Sequence, residues 1–400
     1  MHSNILFVRS LLLTVVIFGT AGCHGPSKAG LEARENAYNR IDKVNTQIAF
    51  GQAQQAFEVG NLREGLEIIT EAVVRYPEAA EYHLLKGRIL MEMGRLDEAR
   101  IALEGATEQD DQLSEPWYFL GIVYQRWSED QQSHEHYMRA ADLEPNRPQF
   151  LLASAEMLVA MKRYEQAEGL LISRIRKFEH HPAMRHLLGQ IAALRGDMDK
   201  AVQYYEEASL LQSEDMHLLS ELAHMQFMAG NVPECLTVID RIEFSGHVLD
   251  RNLQRTKARC LMHARRELEA RPIYKKLLAS REHDVMLWEE AGMLAWSIED
   301  WRGLNNCGQR VSALAPDHAS GWTMLAVAHR SEGRYDQAEA SLLKAVACED
   351  ASALCWVLLA NLREHNGDLT GSMKAWQSAT DLDDSLSGPS RLADGASSGG

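Results

Sequence analysis

A period, more than any motif, limits what this chain can fold into. SEGRYDQAEASLLKAVACED at 331–350 and EMGRLDEARIALEGATEQDD at 92–111 share a Gly-Arg pair, an aspartate and two alanines. They lie 239 residues apart, which is seven periods of 34 plus one. Gly60, Gly94, Gly196 and Gly230 fall on the same beat, with Ser128 and Lys162 holding the places between. After one inserted residue near 250 the beat continues through Arg265, Glu299, Gly333 and Gly367. With each unit numbered from 1 to 34 and the beat at 15, position 8 is small in all ten units. It reads Ala53, Gly87, Gly121, Ala155, Gly189, Ala223, Ala258, Gly292, Ala326 and Ala360.

Positions 1–14 and 18–31 carry apolar residues three and four apart, the spacing of two amphipathic helices. Glycine at 15 supplies the left-handed backbone that ends the first helix. Pro77, Pro145 and Pro316, all at position 32, cannot continue the second. Small residues at 8 and 20 let two helix backbones approach; at 20, Leu304 is the exception. Such a hairpin cannot bury its apolar face alone, so neighbours must stack into a continuous core.

In this period, its glycine at 15 and its small residues at 8 and 20, the chain resembles the tetratricopeptide repeat (TPR) family. The resemblance spans ten units: 46–79, 80–113, 114–147, 148–181, 182–215, 216–250, 251–284, 285–318, 319–352 and 353–386. It implies an all-α solenoid of ten helical hairpins forming a right-handed superhelix. It also implies a concave groove, lined by first-helix positions 2, 5, 9 and 12, in which partner segments lie. On that map the first four units show an apolar stripe: Phe50, Phe57, Leu84, Met91, Tyr118 and Ile122, continued by Leu152 and Val159. Units five to seven turn polar and basic, with His186, Gln190, His224, Arg255 and Arg259; unit eight offers Glu289, Met293 and Trp296. Apolar residues facing a groove imply a partner that covers them; burial against neighbouring repeats is the alternative. No unit combines lysine at 5 with asparagine at 9, the carboxylate clamp of the family's chaperone-binding members.

The units fill 46–386 and leave only the ends. Residues 1–22 read as an export signal, with Arg9, an apolar run at 11–18 and small residues after it. That run is too short to span a bilayer, which takes ~20 apolar residues. Thr20-Ala21-Gly22-Cys23 resembles the lipobox of bacterial lipoproteins. The resemblance implies cleavage before Cys23 and its acylation. With His24 following, it also implies an outer-membrane lipoprotein facing the periplasm. An ordinary secretory signal releasing a soluble periplasmic chain is the alternative. Residues 23–45 read as a tether and leading helix, and 387–400 as a Ser/Gly-rich disordered tail. No segment is left for a catalytic domain, and no H-E-x-x-H, G-x-S-x-G or phosphate-cradling glycine loop occurs. Neither enzyme chemistry nor a cofactor is expected.

The formal charge is −16, and loss of Arg9 with the signal makes it −17. Nucleic acid is therefore not the expected partner, because its binding rests on neutralising phosphates with Lys and Arg. Beyond Cys23, the cysteines at 235, 260, 307, 348 and 355 form no C-x-x-C pair and suggest no disulfide or zinc framework. His134 and His136 point to different sides of a helix, and His180-His181, with His186 near, sits at a repeat junction. All read as solvated surface, with no metal expected. Four of the eight tryptophans (117, 288, 322 and 356) hold position 4 and Trp376 holds 24, both core positions in the family; only Trp296 should face the groove. Arg255, Arg259 and His263 lie four apart on one helix face. Two guanidinium forks there could grip a partner's carboxylate, with Glu289 competing for Arg255 and Met293 leaving Arg259 free.

The sum is a non-enzymatic scaffold, lipid-anchored at a bacterial envelope membrane, that binds a protein or peptide segment during assembly of an envelope machine. A carbohydrate-interacting module in exopolysaccharide export or wall remodelling is the alternative, and only the surroundings of Trp296 suit it.

Overall fold

The computed structural model describes residues 27–280 and 282–386, without the side chain of Asn39. Among these residues there are twenty α-helices, one short 3-10 helix (Ile175–Phe178) and no strand. The stretch read as an export signal, Cys23 and residues 387–400 lie outside the described residues. The chain divides at Arg176 into two compact units, each a run of helical hairpins. No described helix is long and apolar enough to cross a membrane.

The hairpins follow the 34-residue register. Units two and three, for example, are Ala80–Glu92 with Leu96–Gln109 and Ser114–Arg126 with Asp130–Leu143. Position 15 has a positive φ in every unit. Six of these residues are glycines, but Ser128, Lys162, Arg265 and Glu299 adopt φ of 56–60° with a Cβ in place. The turn geometry therefore belongs to the unit, and four units hold it against a cost of ~1–2 kcal/mol each. One further positive φ, at Gly246, ends the helix Val232–Phe244 just before the inserted residue.

Packing explains the small positions. Ser133 Oγ at position 20 donates to the Gly121 carbonyl at position 8 (2.8 Å), and Cys235 Sγ lies 3.1 Å from the Ala223 carbonyl. The two helices of a unit thus touch at 8 and 20. Position 24 fills what glycine leaves at 8: a Cβ on Gly121 would lie 2.5 Å from the Tyr137 ring, and one on Gly189 2.9 Å from Tyr205. In unit eight the sizes are exchanged. Leu304 at position 20 is fully buried, and position 24 is Gly308, where a Cβ would lie 2.9 Å from the Leu325 backbone nitrogen.

Position 4 has a role beyond filling the core. Its ring nitrogen donates to the carbonyl at position 32 of the preceding unit: Trp117 to Asp111 (3.2 Å), Trp288 to Glu282 (2.8 Å) and Trp322 to Pro316 (2.8 Å). His83 does the same to Pro77 at 2.8 Å. Each bond satisfies a junction carbonyl that no helix can reach.

At the start of the described chain, the leading helix and the first helix of unit one are one element, Lys28–Glu58. The sequence shows no helix stop between them, and Leu31, Tyr38, Ile41, Val44 and Ile48 are exposed along it.

Candidate functional site

The apolar stripe of units one to four is largely closed by its own neighbours. Leu84 and Met91 are 7% and 4% exposed, inside a cluster with Leu103, Leu120 and Val123, and Ile122 packs on the same cluster. Leu84 and Met91 therefore do not line an open groove; stacking of consecutive first helices buries positions 5 and 12 there. Phe50 stacks on Tyr82 with ring centroids 5.0 Å apart, and Tyr118 leans on Phe150 at 4.9 Å and Tyr137 at 5.5 Å. Phe57 carries the Arg88 guanidinium at 5.1 Å, and the same cation lies 5.3 Å from the Phe119 ring. Arg88 is a groove-position residue, number 9 of unit two, that a search for apolar side chains passes over.

In units seven and eight the first helices are Arg251–His263 and Val285–Ser297. Arg255 meets Glu290 through Nε (3.0 Å to each carboxylate oxygen) and Nη2 (2.7 Å). Arg259 meets the same carboxylate through Nε at 2.9 Å and through Nη2. Burial, with the charge of Glu290 beside it, holds the Tyr274 phenol well above its usual range. The expected grip on a partner is corrected here. Glu290 rather than Glu289 is the cross-seam acid, and it takes both guanidiniums, so Arg259 is not free. Glu289 instead accepts from Ser320.

Units five and six repeat this arrangement with other side chains. Their first helices are Pro182–Leu194 and Met216–Met228. His186 holds position 5, Gln190 position 9 and Glu221 position 6 of the next unit, the places of Arg255, Arg259 and Glu290. His186 Nε2 bonds Glu221 Oε2, and His217 Nδ1, four residues before Glu221, lies 3.7 Å from the same oxygen. Burial works against the Glu221 charge. The hydrogen bond from His186 and the two imidazoles nevertheless hold its carboxyl below the usual range. His186, His217 and Glu221 are the described group that could hold a metal ion.

The remaining candidates are structural. His136 lies between Trp117 and Tyr124, with centroids at 5.7 and 4.9 Å, and burial lowers its pKa. His134 Nδ1 faces the Ser154 hydroxyl at 2.8 Å, so the two histidines do point apart. Trp296 is half-buried against the core of units six to nine and stands as no free platform. Cys235 and Cys260, 25 residues apart in sequence, are fully buried with their sulfurs 3.1 Å apart, a proximity that cysteine spacing did not reveal.

One opening does lie on groove positions. A cleft of about 400 Å³ is lined by Phe227, Met262 and Met293, with Arg259, His263, Tyr274 and Glu290 at its sides. Phe227 and Met262 hold position 12 of their units and Met293 position 9. Met293 is 55% exposed. The map named Met293 and missed the other two apolar walls, although their register positions were the signal.

Comparison with known proteins agrees with this architecture. The bovine BBSome complex member BBS4 is 23% identical over 230 residues, covering 56% of this chain and 43% of that protein. The TPR repeat-containing protein YpiA of Bacillus subtilis is 20% identical over 323 residues, 78% of this chain and 73% of its own length. The chain thus spans less than half of the bovine relative. A tetratricopeptide repeat protein from Parabacteroides merdae has a similar solved structure (TM-score 0.45, 16% identity), covering 61% of this chain and 96% of that one. The tetratricopeptide repeat profile matches residues 50–114, 152–210, 309–353 and 323–385, half of the chain, and skips the stretch where Pro233, Arg265, Glu299 and Leu304 depart from the pattern. With a left-handed residue closing the first helix of all ten hairpins, the chain belongs to the tetratricopeptide repeat family.

Proposed function

We propose that this protein is a non-enzymatic scaffold that holds a segment of a partner protein in the cleft of units six to eight. The TPR fold supports an interaction scaffold in general terms. The single observation that carries the finer reading is the cleft itself, on groove positions, with one aromatic and two methionine walls. Methionine side chains are unbranched and polarizable, and suit contact with apolar side chains of varied shape. The partner is read as a protein segment with an apolar anchor, since a chain of charge −16 repels polyanions.

A photo-crosslinking residue placed at Met293 in cells should yield an adduct with one protein. The same residue at Ile101, 60% exposed on a second helix, should not. Met293→Glu should abolish capture without changing thermal stability. Equal adducts from 293 and 101, or undiminished capture by Met293→Glu, would reject the cleft.

The proposal extends to location: acylation of Cys23 tethers the scaffold to an envelope membrane, the outer membrane facing the periplasm, where it serves assembly of an envelope machine. The sequence around Cys23 supports this reading. A single lipid chain binds membranes marginally, so stable anchoring takes more than one. Labelled palmitate should enter the wild type, and Cys23→Ala should stay an unprocessed precursor. The same soluble mature form from both would end the lipoprotein reading.

A further inference from the structure

We propose that His186, His217 and Glu221 bind one divalent transition-metal ion of the zinc class between units five and six. The inference does not depend on the partner cleft or on the membrane anchor.

At the seam of units seven and eight, the carboxylate at position 6 is met by two guanidiniums, and side chains deliver two positive charges to one acid. At the corresponding place in units five and six, positions 5 and 9 are an imidazole and an amide in place of the two guanidiniums. Glu221 is nevertheless half-buried, with 28% of its side chain exposed. A divalent cation would supply the charge that arginines supply at the other seam.

The ligand chemistry fits. His186 Nε2 and His217 Nδ1 both converge on Glu221 Oε2, and the three ligand atoms lie within 4.8 Å of one another. A proton shared with His186 leaves His217 Nδ1 at 3.7 Å, beyond hydrogen-bond range. A metal ion at the point of convergence engages all three. Tetrahedral zinc, with bonds of ~2.0–2.2 Å, needs its ligand atoms about 3.3 Å apart. Reaching that spacing takes opening of the direct His186–Glu221 contact and a rotamer change at His217, whose side chain is 75% exposed and free to make it. The His186 ring is oriented by the edge of Tyr205, 5.5 Å away. Two imidazoles and one carboxylate suit zinc, and copper or nickel by the general affinity order. Three protein ligands leave one position for water or for an anionic group.

The test uses tag-free full-length protein titrated with Zn²⁺ by calorimetry and with Co²⁺ by visible absorption. One equivalent of each should bind, Co²⁺ should give the intense bands of a tetrahedral site, and saturating Zn²⁺ should raise the Tm. His217→Ala, a change at an exposed side chain, should weaken Zn²⁺ binding at least tenfold while leaving the metal-free Tm in place. Glu221→Gln should weaken it similarly. The double variant His180→Ala/His181→Ala removes the densest histidine pair elsewhere and should bind as wild type does. A wild-type titration that coincides with that of His217→Ala overturns the proposal. So does loss of binding in the His180/His181 variant, which would place the ion at the repeat junction.

Discussion

At the seam of units seven and eight, a carboxylate at position 6 meets guanidiniums from positions 5 and 9 of the preceding unit. At the seam of units five and six the corresponding carboxylate meets the His186 imidazole, with the Gln190 amide against that ring and a second imidazole, His217, beside it. Backbone and register are shared, so the difference lies in side-chain charge alone. Buried Glu290, with 9% of its side chain exposed, has its charge neutralised within the chain. Glu221 meets imidazoles in place of guanidiniums and stays more open, with 28% of its side chain exposed. Repeat geometry decides where a seam acid sits; the two residues before it in space decide whether the seam is locked or adjustable.

The largest effect should come from breaking the locked seam. Glu290→Leu leaves two half-buried guanidiniums without their acid and should cost ~3–5 kcal/mol, read by chemical denaturation. Exchange protection should fall in 251–297 and persist in 50–114, because repeats couple to neighbours. A loss below ~1 kcal/mol would mean that solvent already screens the seam. The next effect converts one seam into the other. His186→Arg with Gln190→Arg should stabilise metal-free protein by ~1–2 kcal/mol, through charge-assisted bonds to Glu221. It should also abolish the Zn²⁺ response of the Tm. If the double variant is less stable than wild type, the equivalence of the seams fails.

A smaller effect separates seam from turn. Unit five turns on Gly196 and unit seven on Arg265, both at positive φ. Arg265→Gly should raise stability by about 1 kcal/mol without touching the Glu290 pairings, measured as a shift in denaturation midpoint. No gain would show that the turn relaxes at no cost. The smallest effect concerns an imidazole with no seam acid. Burial lowers the pKa of His136 below its ordinary 6.5, so the unfolded chain takes up a proton first as pH falls. Its contribution is complete above pH 6.5 and is lost as pH falls through the lower, folded value. Acidification from pH 7.5 to 5 should therefore loosen unit three. His136→Phe, which keeps the ring stack, should flatten that slope in exchange protection of 114–143.

Much of this architecture was legible because it repeats. Ten small residues at position 8 fixed the register, and the register put Ser128, Lys162, Arg265 and Glu299 at left-handed turns where composition gave no hint. The exception at Leu304 was legible too, but the role of Gly308 at position 24 was not, since only packing shows the next unit's backbone, at Gly321 and Leu325, lying where its Cβ would be. The seam partner was misread by one residue. Arg255 and His186 each meet an acid 35 residues on, not 34, because the next first helix presents position 6 rather than 5 to its neighbour. One residue is ~100° of helix rotation, and a period cannot encode rotation between neighbouring helices. The groove map failed at Leu84 and Met91 for a related reason: it ranks positions by direction and says nothing of how closely the next helix approaches.

The bonds from position 4 to the preceding junction carbonyl make the array a chain of unequal joints. At 77, 111, 282 and 316 a ring nitrogen latches one hairpin to the next, at ~0.5–1.5 kcal/mol per bond. Unit six ends differently, with Gly246 and an inserted residue in a longer connection. Under tension a latched joint resists until its bond breaks, whereas a slack one yields continuously. Stiffness is thus written junction by junction. At the longer connection after unit six, beside the cleft, position 4 still latches, but with an amide: Gln254 Nε2 donates to the Leu249 carbonyl at 2.6 Å.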